Sequence, residues 1–358
     1  MKLLKRESSE AVVPDFIDFM NYSMFIAPLS SLGDRGVFML FLLEIISFYD
    51  KINKKLIIVL KESIYMPNKK AAVFILLGQS NAVGHGVPMK EQDKIKTPMK
   101  NVFGLHRRDN QSFENAELLW SGYTSGGMNL AEEQDDTYSV ANCLASLWQG
   151  HIDGGNADGL PDLYIIQIAI GAQGVTEGYM WHPDREKKLI SGRLKTVDIS
   201  LFPFTLHIFS LLDKSFREMN KEYEIIGLHW RGGENDTSAS REYLVQNLEG
   251  IYIRIFDTFD RILGTPPTIL HKLVCRDRMN FLDPSGRRLK NMDYINEVFD
   301  GLQKSYDNIS VFDPADAPQF VPDIRGNGLF IEDAVHFTPE VNKWVAESIL
   351  NKYITDRR

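Results

Sequence analysis

The residues with the clearest capacity for chemistry lie in the segment VFILLGQSNAVGHG, Val73–Gly86. An apolar run ends at Gly78 and is followed at once by polar residues that include Ser80. A hydroxyl group at the carboxyl end of a buried strand, before a helix, lies where open α/β sheets place their active sites. A nearby helix N-terminus would also stabilise a developing negative charge. The pattern therefore predicts a nucleophilic Ser80, or a serine that merely caps the next helix.

A carboxylate and an imidazole occur together near the end of the chain. Asp333 and His336 are three residues apart, just before the helix start signal Thr338-Pro339. Residues at this spacing meet on one side of a helical turn. The carboxylate would hold one ring nitrogen and leave the other free as a base, as in a hydrolytic triad.

Two other predicted strands end in glycine and polar residues. Gly171 and Gly174 follow one apolar run, and glycines there allow backbone amides to approach a ligand closely. Asn235 follows another run and offers an uncharged side-chain donor, while Asp236 would brace the loop or cap the next helix. Plain turns with capping residues are the alternative interpretation of both segments.

Taken together, these segments resemble the SGNH hydrolase superfamily. The resemblance rests on three blocks in the same order, Gly78-Gln79-Ser80-Asn81, Gly233-Glu234-Asn235-Asp236 and Asp333-Ala-Val-His336. The Gly-Gln-Ser-Asn form is similar to the sialate O-acetylesterase-like branch of carbohydrate acetylesterases. The resemblance covers about residues 72 to 355.

The resemblance implies an α/β protein with a flavodoxin-like three-layer α/β/α sandwich that removes O-acetyl groups from a carbohydrate. It assigns the nucleophile to Ser80 and the base and its orienting carboxylate to His336 and Asp333. Donors to the oxyanion would be Ser80, Gly171 and Asn235, with Gly174 a weaker candidate. Residues in supporting positions are Gln79, Glu234 and Asp236. The mechanism requires no cofactor and no metal ion.

The third block departs from the pattern of that branch. The branch reads Trp-x-Gln-Gly-Glu-x-Asp, whereas Gly232 stands here at the position of the glutamine. We expect Asn235 to replace the lost side-chain donor, because losing one donor outright costs ~3 kcal/mol of transition-state stabilisation. The second block departs as well, since the branch more often reads Gly-Gly-(Ser/Thr)-Ser there.

Recognition of the sugar is less well defined by the sequence. Trp181 and His182 lie in a predicted loop where they would stack on a sugar ring, and further aromatic candidates are Tyr179, Trp120 and Tyr123. Two alternatives stay open. One is an SGNH esterase or lipase acting on another acyl ester, and the other is a non-catalytic carbohydrate-binding protein of the same fold.

The elements that must position these residues form a strand-helix alternation from about residue 70. Continuous apolar runs predict parallel strands, about five in number, covered on both faces. These runs are Val73–Leu77, Leu163–Ile170, Ile225–Trp230, Thr268–Val274 and Ile309–Phe312. Helical patterns lie between them at Tyr138–Gln149, Phe204–Met219, Ser240–Leu263, Met292–Ser305 and Pro339–Tyr353. The alternation predicts one doubly wound domain over residues 67–358.

Residues 1–66 lack this alternation and are predicted to be an N-terminal extension. Their most apolar segment, Val37–Phe48, is too short to span a bilayer and contains Glu44. No signal peptide is recognised, and with two separated cysteines this favours a cytoplasmic location. The net charge of -8 in 358 residues argues against a nucleic-acid partner. The expected partner is an acetylated carbohydrate, and the sequence leaves the oligomeric state open.

Overall fold

The computed structural model describes residues 70–357, apart from 87, 107–117, 133–135, 156–158, 187–188 and 191–197. The predicted extension 1–66, its boundary at residue 67 and the apolar segment Val37–Phe48 lie outside the described residues. Within the described part, no helix is long and apolar enough to cross a membrane.

The described part of the chain has a mixed α/β fold built on a sheet of seven strands. The sheet order is β3-β2-β4-β1-β7-β8-β9, and every neighbouring pair is parallel except the antiparallel pair β2–β3. The strands are β1 (Ala71–Gly78), β2 (Val102–Leu105), β3 (Trp120–Gly122), β4 (Leu163–Ala169), β7 (Tyr223–Arg231), β8 (Thr268–His271) and β9 (Ile309–Phe312). A separate two-stranded hairpin pairs β5 (Leu189–Ile190) with β6 (Asp198–Ile199).

The α-helices connect the strands. They are α1 (Ser80–Val83), α2 (Val140–Asp153), α3 (Leu201–Glu218), α4 (Arg241–Leu263), α5 (Arg276–Leu282), α6 (Arg287–Ser305) and α7 (Pro339–Asp356). Serine or threonine caps begin three of the long helices: Ser139, Ser240 and Thr338 each accept a hydrogen bond from an amide three residues later. These caps satisfy amides that the first helical turn leaves unpaired.

The central strand β1 is buried on both faces, which explains why its sequence is continuously apolar. Val73, Ile75 and Leu77 enter one hydrophobic core with α3, α4 and α6. Phe74 and Leu76, which point to the opposite face, enter a second core with α2 and α7. Strand side chains alternate between the two faces of a sheet, so a strand with two buried faces has no polar positions.

The prediction of about five strands is wrong, because the sheet has seven. The five predicted strands are present, but strand β2 and its neighbour, the edge strand β3, were missed. They are only four and three residues long, and β2 contains Gly104, so neither gives a strong apolar or alternating signal. The strand predicted to reach Val274 ends at His271. The flavodoxin-like three-layer arrangement stays a prediction.

Both cysteines, Cys143 and Cys275, are free and buried.

Candidate active site

The turn after β1 presents Ser80 at the carboxyl edge of the sheet. Gly78 has a φ of 138°, and a β-carbon on it would lie 2.0 Å from the carbonyl oxygen of Arg231. Only glycine tolerates this approach, so the strand ends in a tight turn. Gln79 occupies the N-cap position of α1 and Ser80 is the first helical residue. The alternative that Ser80 is the helix cap therefore has no support.

Glu234 holds the turn from one side. Its carboxylate accepts hydrogen bonds from Gln79 Nε2 at 2.5 Å and from Asn81 Nδ2 at 2.9 Å. The two residues on either side of Ser80 are thus fixed by one carboxylate, which lies three residues after the end of β7. Hydrogen bonds to a charged acceptor are the stronger kind, so Glu234 rigidifies the position of the hydroxyl.

Arg231, the last residue of β7, also holds this turn. Its carbonyl oxygen accepts the Gln79 amide at 2.9 Å, and its Nη1 donates to the carbonyl oxygen of Asn81 at 3.0 Å and to Asn342 Oδ1 at 2.8 Å. The guanidinium is almost completely buried, and burial lowers its pKa to about 10, which leaves it charged at neutral pH. Sequence reasoning missed this role, although a lone arginine at the end of an apolar strand was a visible signal.

The predicted base and its carboxylate are in contact. His336 Nδ1 lies 2.5 Å from Asp333 Oδ2, and the amides of Val335 and His336 both donate to Asp333 Oδ1 at 3.0 Å. Burial opposes the charge on Asp333, but the hydrogen bonds outweigh it and keep the pKa of this carboxyl below its usual value. The pair lies in a turn, with Ala334 at a φ of 57°, and not in a helix. A carboxylate at Nδ1 favours the tautomer with the proton on Nδ1, which leaves Nε2 free to accept a hydrogen bond.

Asn81 connects the Ser80 turn to the turn that contains His336. Its Nδ2 donates to the carbonyl oxygen of Val335 at 3.0 Å, and its Oδ1 accepts the amide of Phe337 at 3.2 Å. Within the described residues, no hydrogen bond joins the Ser80 hydroxyl to His336. Catalytic hydrogen bonds often form only when substrate binds.

Asn235 lies beside the turn. Its Nδ2 has one long contact with Gln79 Oε1, at 3.4 Å, and its side chain is half-buried. A β-carbon on Gly232 would lie 3.7 Å from Gln79 Cγ, so the glycine in place of glutamine also lies next to the turn. Asn235 is therefore placed next to the residue that precedes Ser80, and its role as a replacement donor stays a prediction.

The Gly171 amide, a predicted oxyanion donor, has a partner already. It donates to Glu132 Oε2 at 2.6 Å, and Glu132 Oε1 lies 3.0 Å from His85 Nε2. The His85 ring packs against Gly171 and edge-on to His336, with ring centroids 5.7 Å apart. His85 lies inside the first motif segment, but sequence reasoning missed it, and the sequence carries no signal for Glu132.

Asp236 braces the loop after β4. Its carboxylate accepts amides of Val175 and Thr176 at 2.9 Å each, and a β-carbon on Gly174 would lie 2.3 Å from its Oδ1. Gly174 is thus required for packing against Asp236. Burial raises the pKa of Asp236 to about 6, and the amide hydrogen bonds only partly oppose this shift.

The raised pKa of Asp236 predicts a pH-dependent stability. The pKa of Asp236 in the folded protein lies above the ordinary 3.8. The protonated carboxyl therefore contributes its full stabilisation below pH 3.8, and this contribution is lost as the pH rises through about 6. Relative to Asp236→Asn, we expect the wild type to lose ~1–3 kcal/mol of unfolding free energy over this interval. Urea unfolding at several pH values measures the difference. The same pH dependence in both proteins would contradict the prediction.

The candidates for sugar binding differ in burial. Trp181 is completely buried, and its Nε1 donates to the carbonyl oxygen of Gly78 at 2.9 Å. The prediction that Trp181 stacks on a substrate is therefore wrong, because no face of its ring is exposed. Tyr123 is completely buried too, and the same correction applies. His182 is half-buried and stays a prediction. Within the described ranges, no group of three or more metal-ligating side chains is found.

Three solved structures show a distant likeness to this chain. No protein-family model matches the chain, and no curated protein matches it. Among solved structures, NanS is 16% identical with a TM-score of 0.49, over 80% of this chain and 99% of NanS. A protein from Arabidopsis thaliana is 15% identical with a TM-score of 0.48, over 80% of this chain and 98% of that one.

A third structure is described as a carbohydrate acetylesterase from Xanthomonas citri. It is 14% identical with a TM-score of 0.30, over 57% of this chain and 41% of that chain. All three TM-scores lie below 0.5, so these likenesses carry no argument about function.

Proposed function

We propose that this protein is a serine esterase that removes O-acetyl groups from a carbohydrate through an acyl-enzyme. The observation that supports this most directly is the Asp333–His336 pair, 2.5 Å apart, in a turn that Asn81 ties to the Ser80 turn. A carboxylate, an imidazole and a hydroxyl on neighbouring rigid turns are the parts of a hydrolytic triad. The sugar as substrate rests on the sequence resemblance.

The reaction proceeds in two steps. Ser80 Oγ attacks the acetyl carbonyl while His336 accepts the hydroxyl proton. The bond from the carbonyl carbon to the sugar oxygen then breaks, and His336 gives the proton to that oxygen. Water attacks the acetyl-serine in the second step, again through His336, and acetate leaves. Asp333 stays ionised throughout and stabilises the imidazolium.

Three donors are proposed for the oxyanion: the amides of Ser80 and Gly171 and the side chain of Asn235. The Gly171 amide becomes available only when Glu132 leaves it, because an ionised carboxylate at 2.6 Å repels a second negative oxygen. Glu132 keeps a partner in His85 when it moves, which lowers the cost of the exchange. In the resting arrangement, therefore, one of the three donors is masked.

Glu132→Ala is expected to raise kcat/KM for p-nitrophenyl acetate. The substitution frees the Gly171 amide, and one oxyanion donor contributes ~10²-fold or more to kcat, so a gain between a few-fold and ~10²-fold is expected. Steady-state kinetics measures it, with the exposed Glu249→Ala on α4 as the matched control. A fall in kcat/KM would mean that Glu132 takes part in the reaction and does not mask a donor.

Covalent labelling tests the nucleophile itself. An organophosphate that transfers a diethylphosphoryl group to activated serines should add one such group per chain, and peptide mass spectrometry should place it on Ser80. Labelling should be lost in His336→Ala, since the base is needed to activate the hydroxyl. Labelling spread over several serines, or none, would count against the esterase proposal.

A further inference from the structure

A polar cavity of about 490 Å³ lies at the carboxyl ends of β8 and β9. Its walls include Lys272, which follows β8, Asp313, which follows β9, and residues of the 320–327 loop. Small-molecule sites in proteins usually have volumes of ~300–1,000 Å³. The cavity is therefore large enough for a sugar ring, and none of the residues assigned to the reaction lines it.

The cavity lies on the same edge of the sheet as Ser80. Strand β8 is two strands away from β1, so the cavity starts roughly 10 Å from the Ser80 turn. Its wall residue Leu273 lies 3.3 Å from where a β-carbon on Gly233 would stand, next to Glu234. The chain that forms the 320–327 wall continues directly to His336, and the Thr338 amide returns to the carbonyl oxygen of Leu329. The cavity and the proposed catalytic turns thus share structural elements.

The charges in the cavity are predominantly negative. Lys272 is paired with Asp300 at 3.0 Å and Arg276 with Asp293 at 2.7 Å, so both cations are neutralised from outside the cavity. Three lining carboxylates have no ion-pair partner among the described residues: Asp277, Asp313 and Asp323. An anionic ligand would be repelled here, whereas hydroxyl groups would donate to these oxygens.

The cavity also offers uncharged polar groups. Asn280 lines it, and so does Asn296, whose side chain exchanges two hydrogen bonds with the backbone of Leu273. Asn327 Oδ1 is buried without a hydrogen-bond partner within the described part of the chain. Asn327 is held at a φ of 43° and its Nδ2 donates to the carbonyl oxygen of Val274 at 3.2 Å. Asparagine tolerates this left-handed backbone, but an unpaired buried acceptor is costly, and such costs are concentrated at binding sites.

An apolar surface completes the lining. The half-buried Phe320 packs against the core on one side and borders the cavity on the other. Carboxylates, amides and one ring match a ligand with many hydroxyl groups and C–H faces. They do not match a phosphate or a carboxylate.

We infer that this cavity binds a neutral sugar unit of the ester substrate, next to the acetylated unit held at Ser80. The inference rests on the proposed esterase function and makes it more specific in two ways. The substrate contains at least two sugar units, and the unit away from the ester is neutral, unlike a sialic acid.

Direct binding tests this inference without any need for turnover. Saturation-transfer NMR would be run on the Ser80→Ala protein with the neutral disaccharides xylobiose, cellobiose and lactose, and with N-acetylneuraminic acid as the anionic probe. We expect a signal from at least one neutral disaccharide and none from the anionic sugar. Asn280→Trp, an exposed position on α5 that lines the cavity, should abolish the signal, and the exposed Asp307→Asn at the other end of β9 should keep it.

Kinetics supplies a second, separate measurement. In the active protein, Asn280→Trp should raise KM for an acetylated neutral disaccharide ~10-fold or more and leave kcat within two-fold of the wild-type value. The reason is that binding of the remote sugar unit is lost equally in the ground state and the transition state. Turnover of p-nitrophenyl acetate, which has no remote unit, should be unchanged. The double variant Asp277→Asn, Asp323→Asn should bind the anionic sugar better than the wild type does, relative to the neutral disaccharides. Normal p-nitrophenyl acetate hydrolysis with no neutral-sugar binding, or binding that survives Asn280→Trp, overturns this inference alone. Equal p-nitrophenyl acetate rates in wild type and Ser80→Ala overturn the esterase proposal instead.

Discussion

Ser80→Ala is expected to lower kcat for p-nitrophenyl acetate by ~10⁴-fold or more, down to the rate that binding and the oxyanion donors supply alone. The hydroxyl is the only group that the proposed mechanism uses as a nucleophile, and no neighbouring side chain replaces it. Alanine fits the position, because Ser80 is a helical residue with a buried side chain that the turn does not use for its own hydrogen bonds.

The control for this substitution is Ser305→Ala, at an exposed serine near the end of α6. Its kcat should equal that of the wild type, and thermal unfolding should show that both variants are folded. If Ser80→Ala hydrolyses the ester at the wild-type rate, Ser80 is not the nucleophile. A non-catalytic carbohydrate-binding protein would then be the better interpretation of this chain.

Asp333→Asn has the second largest expected effect, a ~10³–10⁴-fold fall in kcat with little change in KM. The asparagine keeps the shape of the side chain, but its amide would donate to His336 Nδ1 and so favour the tautomer with the proton on Nε2. That nitrogen is then unable to accept the Ser80 proton. The carboxylate Oδ1 also accepts two amides that hold the turn, and the asparagine oxygen can still accept these.

Asp316→Asn, at an exposed acid in the same connection, is the matched control and should leave kcat unchanged. The diagnostic measurement is kcat separately from KM, because a distorted site would raise KM as well. An equal loss in kcat and in substrate affinity would show that Asp333 only holds the turn together.

Local sequence patterns predict much of this molecule. The five predicted strands are visible as apolar runs without knowledge of the fold. Strands β1 and β4 give the clearest runs, because burial on both faces leaves few polar positions. The Asp333–His336 contact follows from a spacing of three residues, although the chain forms a turn there. Both signals depend only on neighbours in the chain.

The remaining features depend on residues that are distant in sequence. Glu132 reaches Gly171 across 39 residues and His85 across 47, and no spacing rule connects them. Tryptophan is a residue type that stacks on sugars, but Trp181 is buried by the fold around Gly78, which its sequence neighbours do not show. The short edge strand β3 forms by pairing with β2, so its own three residues carry little information.

The double contact of Asn81 bears on the timing of synthesis. The serine turn is translated early, yet the partners of the Asn81 side chain in the histidine turn are 254 and 256 residues further along the chain. Until those residues leave the ribosome, the Asn81 side chain has only Glu234 among its hydrogen-bond partners, and its two contacts with the histidine turn are unmade. A nascent chain that ends before Val335 would therefore carry the serine without hydrolytic capacity. On the proposed mechanism, hydrolysis begins only after residues up to His336 have been made, because the base and its carboxylate are translated after the serine turn.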